Sequence, residues 1–256
     1  MRLIRYRGDD GPTWGTVDAG GRVRLVGGDP FSDREPGPEV GSLTSLALLA
    51  PATPRTVVCV GRNYREHAAE FDNSVPDQPL LFLKPASSVI GSGAEIHYPS
   101  LSQRVDPEAE LVVVIGREAH RVPAERATAF IGGYTCGNDV TARDIQKSDE
   151  QWTRGKGFDT FCPIGPWIET ELDPTDLGVT CSVDGEVRQN GRTRDLIFPI
   201  PYLIEYISRF TRLFPGDLIM TGTPGGVAAM EVGQTVVVEI EGIGRLENRL
   251  VEEPGA

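Results

Sequence analysis

The hydrophobic positions of this chain fall mostly into short runs that are separated by turn residues. The runs TVVCVG (56–61), LVVVI (111–115) and TVVVEI (235–240) are rich in β-branched residues, which favour buried strands. VTCSVDGEVRQNG (179–191) places two such runs about an Asp-Gly pair, a pattern typical of a β-hairpin. Strands outnumber helices, so the pattern predicts a mainly β protein with some α, built as a sandwich or roll.

Helical periodicity is clearest in PIPYLIEYISRFTRL (199–213), which puts four aliphatic residues on one face: Ile200, Leu203, Ile204 and Ile207. Shorter helices are predicted for SLTSLALLA (42–50), NYREHAAEF (63–71) and AERATAF (124–130), whereas GFDTFCPIGPWI (157–168) is expected to be rich in turns.

Two polar, proline-containing segments suggest how the chain is organised. FDNSVPDQP (71–79) is expected to form a lid loop. PATP (51–54) marks a break, so residues 1–52 are predicted to form a small, variable, β-rich N-terminal region. Residues 53–256 are then predicted to form the catalytic domain.

Composition narrows the classes of function. The 256 residues suit one large domain or a main domain with an appendage, and the net charge of -12 argues against nucleic acid or an anionic membrane as the main partner. No apolar run approaches the roughly 20 residues of a membrane span, and the first ten residues lack the apolar core of a signal peptide, so a cytoplasmic protein is expected.

The cysteines are widely spaced and predict buried, reduced thiols rather than a zinc or redox motif: Cys59, Cys136, Cys162 and Cys181.

The stretch VDPEAELVVVIG (105–116) carries two glutamates into an aliphatic run. Glu108 and Glu110 share one face of the predicted strand, where two neighbouring carboxylates repel each other and resist burial. A hard divalent cation between them is the first explanation and an arginine partner is the second. A strand end exposed to solvent is the alternative.

Two further groups could take part in chemistry. Asp139 ends the predicted strand YTCGNDV (134–140) and could complete a set of three carboxylates, or it could form an Asx turn or a helix cap. His67 and Glu70 are three residues apart on a helix, so Glu70 could fix the tautomer of a histidine base. The alternative for this pair is an ordinary exposed surface contact.

Lysine is rare in a chain whose other basic residues are all arginine, which draws attention to Lys84, Lys147 and Lys156. Lys156 is flanked by glycines that allow close approach to a ligand, so it could stabilise an enolate or oxyanion, or it could lie in a flexible surface loop. The segment GTPGG (222–226) lacks the features of a nucleotide-binding loop and favours a turn or a site for a small carboxylate.

Taken together, these segments resemble the fumarylacetoacetate hydrolase family from about residue 56 to about residue 247. The resemblance is carried, in order, by GRNYREHAAE, LFLKP, DPEAELVVVIG, GGYTCGNDVTARDIQ, KGFDTFCPIGP, VDGEVRQNGRTRDLIF and LFPGDLIMTGTPGGVA. It implies the family's mixed β-sandwich roll, usually dimeric, and hence a homodimer here. The first 50 or so residues match only loosely.

The resemblance also implies roles for nine residues. It implies a site for Mg²⁺ or Mn²⁺, with Ca²⁺ as a crystal substitute, at Glu108, Glu110 and Asp139. It implies catalytic roles for His67, Glu70 and Lys156. It implies substrate-binding roles for Arg143, Gln146 and Thr223.

The implied activity is metal-dependent chemistry on a small 2-oxo acid through a metal-bound enolate, as in aromatic compound catabolism. The His67–Glu70 pair favours hydrolysis of an acylpyruvate or decarboxylation of oxaloacetate. The alternatives are isomerisation of 2-hydroxyhepta-2,4-diene-1,7-dioate or oxaloacetate tautomerisation. A protein of another class, which binds a metal or ligand on the same fold without catalysis, or holds structural calcium, is the rival hypothesis.

Overall fold

A computed structural model describes residues 1–32, 34–70 and 74–255. In these residues the strands are β1 (Arg2–Gly8), β2 (Gly11–Val17), β3 (Arg22–Gly27), β4 (Glu35–Ser42), β5 (Leu48–Leu49), β6 (Val57–Gly61), β7 (Leu80–Lys84), β8 (Val89–Ile90), β9 (Glu95–Tyr98), β10 (Val105–Asp106), β11 (Ala109–Ile115), β12 (Ile131–Asn138), β13 (Thr141–Ala142), β14 (Cys162–Glu169), β15 (Gly178–Val183), β16 (Glu186–Arg192), β17 (Leu218–Met220), β18 (Thr235–Ile240) and β19 (Gly244–Glu252). The α-helices are α1 (Arg65–Glu70), α2 (Arg143–Ser148), α3 (Thr153–Gly157) and α4 (Ile200–Ser208). Short 3-10 helices span Leu43–Ser45, Ala86–Ser88, Ala124–Phe130 and Thr193–Asp195.

Two sheets carry the fold. The large sheet has the order β4-β3-β2-β1-β14-β12-β11-β17-β6-β7, with β5 and β8 pairing to β1 and β14. The smaller sheet has the order β16-β15-β18-β19-β9, and its strands β15, β18 and β19 pack against β11, β12 and β14 of the large sheet. The prediction of a mainly β sandwich roll with some α is confirmed.

Strand β11 explains how charged residues reach the interior. Its alternate residues Leu111, Val113 and Ile115 point into the core between the two sheets, and Val112 and Val114 point to the opposite face. Because side chains alternate along a strand, Glu110 lies on the same face as Val112. Packing in the sandwich core thus fixes the position of β11, and the opposite face of this strand carries Glu110.

The N-terminal strands continue the large sheet. β1 pairs antiparallel with β14, with Arg2 opposite Glu169 and Leu3 opposite Ile168, and strands β2 to β4 extend this edge. A separate small cluster of apolar side chains, including Ile4 and Val23, packs there. The predicted division at residue 52 stays a prediction.

The longest predicted helix and the predicted hairpin are both confirmed. α4 buries all four of the aliphatic residues that periodicity placed on one face. β15 and β16 pair about Asp184 and Gly185, whose φ angles of 47° and 82° are the left-handed values of a tight hairpin turn. AERATAF forms a seven-residue 3-10 helix. Across the described residues no helix has the length and apolarity needed to cross a membrane.

Two local predictions were wrong. SLTSLALLA forms one 3-10 turn and then β5, because pairing of Leu48 with Tyr6 of β1 outweighs its helical propensity. GFDTFCPIGPWI contains all but the last residue of the eight-residue strand β14 in spite of two prolines. The register against β12 shifts there, so extra residues including Pro166 fit outside the regular ladder.

The predicted lid at 71–79 lies partly outside the described residues, which exclude 71–73. In its described part, Gln78 accepts a hydrogen bond from the Tyr206 hydroxyl of α4 over 3.2 Å.

Candidate active site

All nine residues to which the family resemblance gave a role line one cavity of about 480 Å³. The residues come from separate parts of the chain, namely α1, β11, the end of β12, α2, α3 and the loop after β17. The other residues lining this cavity are Val60, Gly61, Arg62, Phe82, Lys147, Asp149 and Trp152.

Backbone pairing brings the three predicted metal ligands together. The Asp139 N–H donates to the Glu108 carbonyl over 2.9 Å, which holds the ends of β12 and β11 side by side. One carboxylate oxygen from each of Glu108, Glu110 and Asp139 lies within 4.8 Å of the others, and all three residues are buried. Asp139 is not a helix cap, since α2 begins only at Arg143. The alternative of a solvent-exposed strand end is wrong for both glutamates.

Three basic side chains contact this acid cluster. Lys156 Nζ lies 2.7 Å from Glu108 Oε2 and 2.6 Å from Asp139 Oδ2, and its side chain is buried in α3 rather than in a flexible loop. Lys84 Nζ donates to Asp139 Oδ1 over 2.6 Å. Arg143 donates to the second Glu108 oxygen, so the arginine partner that was the second explanation is also present.

The two glutamates have opposite electrostatic environments. Burial alone would raise the pKa of Glu108, but Lys156 and Arg143 outweigh this effect and hold that pKa below its usual value. Burial raises the pKa of Glu110 well above its usual value, and the nearby charges of Asp139 and Glu108 raise it further. In the described residues the Glu110 carboxylate accepts one hydrogen bond, from the Gly222 N–H over 2.7 Å.

This arrangement fits a divalent cation. Carboxylate oxygens are the ligands that Mg²⁺ and Mn²⁺ prefer, and three of them converge here. The excess negative charge on the Glu110 side is the charge that a bound cation would neutralise.

The predicted histidine–glutamate pair lies at the same cavity. His67 Nδ1 is 3.5 Å from Glu70 Oε2, and His67 Nε2 is 4.0 Å from Glu108 Oε1. Burial is the main cause that lowers the pKa of His67 below its ordinary value, so the imidazole is neutral near pH 7. The His67 side chain is only 10% exposed, so the alternative of an ordinary surface pair is wrong.

The predicted substrate-binding residues are held in place by buried polar partners. Arg143 donates from Nε to Asp106 Oδ2 over 2.8 Å and from Nη1 to Gln146 Oε1 over 2.6 Å. The Thr223 hydroxyl accepts from Gln189 Nε2 over 2.7 Å, which leaves its own proton available to another acceptor.

Sequence reasoning gave no role to three further buried residues around this site. Lys84 is buried against Asp139. Asp106 is buried against Arg143, and Gln189 is buried against Thr223. The scarcity of lysine already drew attention to Lys84. No comparable signal marked the other two, because their importance comes from contacts between distant segments.

Comparisons with known proteins identify the family. Residues 56–251 match the family model described as fumarylacetoacetate (FAA) hydrolase C-terminal, and residues 1–51 match the model described as Rv2993c-like, N-terminal. The chain therefore belongs to the fumarylacetoacetate hydrolase family, and the resemblance inferred from its motifs is confirmed.

Three relatives illustrate the range of this family. The human mitochondrial oxaloacetate tautomerase FAHD2A is 39% identical, and the match covers 98% of this chain and 92% of that one. The crystal structure of 2-hydroxyhepta-2,4-diene-1,7-dioate isomerase from Mycobacterium marinum superposes on this chain with a TM-score of 0.91. The two sequences are 43% identical, and the match covers 99% of each chain. Fumarylpyruvate hydrolase from Pseudomonas aeruginosa, solved with Mn²⁺ and pyruvate, is 38% identical with a TM-score of 0.74, over 78% of this chain and 91% of that one.

Proposed function

We propose that this protein is a divalent-cation-dependent enzyme that acts on 2-oxo acids by moving a proton to or from the enol form of the substrate. The observation that carries the proposal is the convergence of three buried carboxylates, a buried lysine and a histidine–glutamate pair on one cavity. Acids and bases with perturbed pKa values that meet a cation at a single concave site are typical of an active site that transfers protons.

Glu108, Glu110 and Asp139 would hold the cation, with Mg²⁺ or Mn²⁺ as the proposed ion. When bound there, such an ion supplies a Lewis acid that polarises the 2-oxo group and favours the enolate form of the substrate. The Mn²⁺ in the Pseudomonas aeruginosa relative supports this assignment.

The protein side chains supply the remaining steps. His67 is the proposed base, since its neutral imidazole lies 4.0 Å from the acid cluster. Glu70 would hold the His67 ring in one orientation and stabilise it after it takes up a proton. Lys156 keeps its positive charge, because its contacts with Asp139 and Glu108 outweigh burial and raise its pKa. It would stabilise negative charge that develops on the substrate oxygen.

Keto–enol tautomerisation or double-bond isomerisation is the first candidate reaction. It requires only the proton transfer just described, and the relatives that bear these two names match this chain over nearly its whole length. The proposed substrates are thus 2-oxo acids such as oxaloacetate or a 2-hydroxydienedioate.

Hydrolysis of an acylpyruvate or decarboxylation of oxaloacetate is the second candidate. The His67–Glu70 pair favours hydrolysis, because a histidine oriented by a carboxylate could also deprotonate water. The fumarylpyruvate hydrolase relative supports hydrolysis as well.

An ultraviolet assay separates these reactions. The purified protein is incubated with enolic oxaloacetate, acetylpyruvate or a 2-hydroxydienedioate, each with Mg²⁺ and with a chelator. Cation-dependent loss of enol absorbance without pyruvate release identifies tautomerisation or isomerisation, and release of pyruvate identifies cleavage or decarboxylation. No turnover of any of the three, with cation still bound, would favour the rival hypothesis of a non-catalytic binding protein.

A further inference from the structure

One wall of the cavity is a row of two aromatic rings with a cation at each end. Lys156 Nζ lies 5.0 Å from the centre of the Phe82 ring, and the Phe82 and Trp152 rings contact edge to face with centroids 5.3 Å apart. The Arg62 guanidinium carbon lies 5.8 Å from the centre of a Trp152 ring. The wall therefore runs from the acid cluster, where Lys156 is bound, to a second cation two rings away.

The backbone at the far end of this wall is held in an unusual conformation. Arg62 has a φ of 57°, a left-handed value that is uncommon for a residue with a side chain. The preceding Gly61 packs so closely that a Cβ there would lie 2.8 Å from the Trp152 ring. Such strain persists only where the surroundings enforce it, and it is concentrated at functional sites. With this left-handed backbone, Arg62 lies in the lining of the cavity.

Within the described ranges, the charge of Arg62 is not balanced by a carboxylate at ion-pair distance, and its guanidinium lies over the Trp152 ring. The nearby cavity residue Asp149 is bound through both oxygens by Arg154, and Glu70 contacts His67 and the Gly226 N–H. Arg62 is thus a cation on a cavity wall that offers its charge to a ligand.

We infer that Arg62 binds a second carboxylate of the substrate and so makes the enzyme selective for dicarboxylic 2-oxo acids. This inference rests on the proposed function, because it takes the 2-oxo end of the substrate to lie at the acid cluster. The substrate chain would then lie along Phe82 and Trp152, with one anionic group at each end. In a protein with a net charge of -12, a local cation is needed to attract a dianion.

The test compares two ligands of equal length that differ in charge, 2-oxoglutarate and 2-oxopentanoate. Binding of each to the Mg²⁺-loaded protein is measured by calorimetry for the wild type, Arg62→Gln and Arg62→Lys. Arg121→Gln is the matched control, because Arg121 is also an arginine with a left-handed φ of 55° but is exposed and lies outside the cavity lining.

The wild type is expected to prefer 2-oxoglutarate. Arg62→Gln should weaken 2-oxoglutarate binding by about 10- to 100-fold, the usual loss for a charged hydrogen-bond partner, and weaken 2-oxopentanoate far less. Arg62→Lys should recover part of the preference, and Arg121→Gln should match the wild type. Melting temperatures of all variants establish that each is folded.

Equal affinity of the wild type for both ligands, or an equal loss for both in Arg62→Gln, would overturn the inference. The proposed function would survive either result, provided that binding of 2-oxopentanoate still required the cation. If the wild type bound neither ligand in the presence of Mg²⁺, the proposed function would be overturned, and the inference with it.

Discussion

Neutralising Glu110 should stabilise the metal-free protein while it destroys the metal site. Glu110 is 2% exposed, lies beside two other carboxylates and accepts a hydrogen bond from the Gly222 N–H. Glu110→Gln keeps the size of the side chain and its acceptor oxygen but removes the charge. Most mutations of buried polar residues destabilise a protein, so an increase in stability is a distinctive expectation.

The size of the effect follows from the burial of an incompletely compensated charge. Relief of that penalty is worth roughly 1–3 kcal/mol, which for a chain of this length corresponds to a rise in melting temperature of roughly 2–10 °C. Because the pKa of Glu110 is raised, the wild-type penalty grows as the pH rises above the unfolded-state pKa of about 4.3. The difference between the two proteins should disappear below that pH, where both states carry the proton.

The assay is thermal unfolding in a chelator at several pH values, with Mn²⁺ affinity measured by calorimetry. Glu110→Gln should bind Mn²⁺ at least about 10-fold more weakly than the wild type. Glu169→Gln is the matched control, because Glu169 is also buried but pairs with the Met1 amine at 2.6 Å. It should lower the melting temperature and leave Mn²⁺ affinity unchanged. A lower melting temperature for Glu110→Gln in chelator, or retained Mn²⁺ affinity, would refute the reasoning.

Three further predictions concern the base, its titration and the thiols. His67→Ala should lower turnover by about 10²- to 10⁴-fold, with Mn²⁺ affinity retained; turnover at the wild-type rate would exclude His67 as the base. The wild-type rate should rise with pH through a midpoint below about 6.5, because burial lowers the pKa of His67, and a midpoint above this value would contradict that assignment. Burial raises the pKa of Cys162 and Cys181 to about 12, so native protein should not react with Ellman's reagent at pH 8, whereas unfolded protein should show four thiols.

The sequence was informative wherever a local pattern carried the physical cause. The aliphatic run after Glu110 predicted β11, and the spacing of Glu108 and Glu110 predicted a shared face that required a positive partner. The three-residue spacing of His67 and Glu70 predicted their contact, because both lie in one helix. In these cases the periodicity of a single element determined the outcome.

Other features depend on contacts between distant segments, which one sequence does not display. Lys84 reaches Asp139 only because β7 and β12 belong to the same folded sheet. Arg62 resembled any surface arginine until the folded chain placed Trp152 beside it. The short apolar run that includes β5 was misassigned for the same reason, since Tyr6 of the distant β1 decides its conformation.

Proton exchange at C3 of a simple 2-oxo acid tests the central claim most directly, because tautomerisation consists of that step and both cleavage and decarboxylation end with protonation of an enolate at C3. The wild type, with Mg²⁺ and with chelator, and His67→Ala with Mg²⁺ are incubated with 2-oxoglutarate in D₂O, and loss of the C3 proton signal is followed by NMR. Exchange in the wild type that requires both Mg²⁺ and His67 is the predicted result. Exchange no faster than in buffer, or equally fast without Mg²⁺ or His67, would contradict the proposed function.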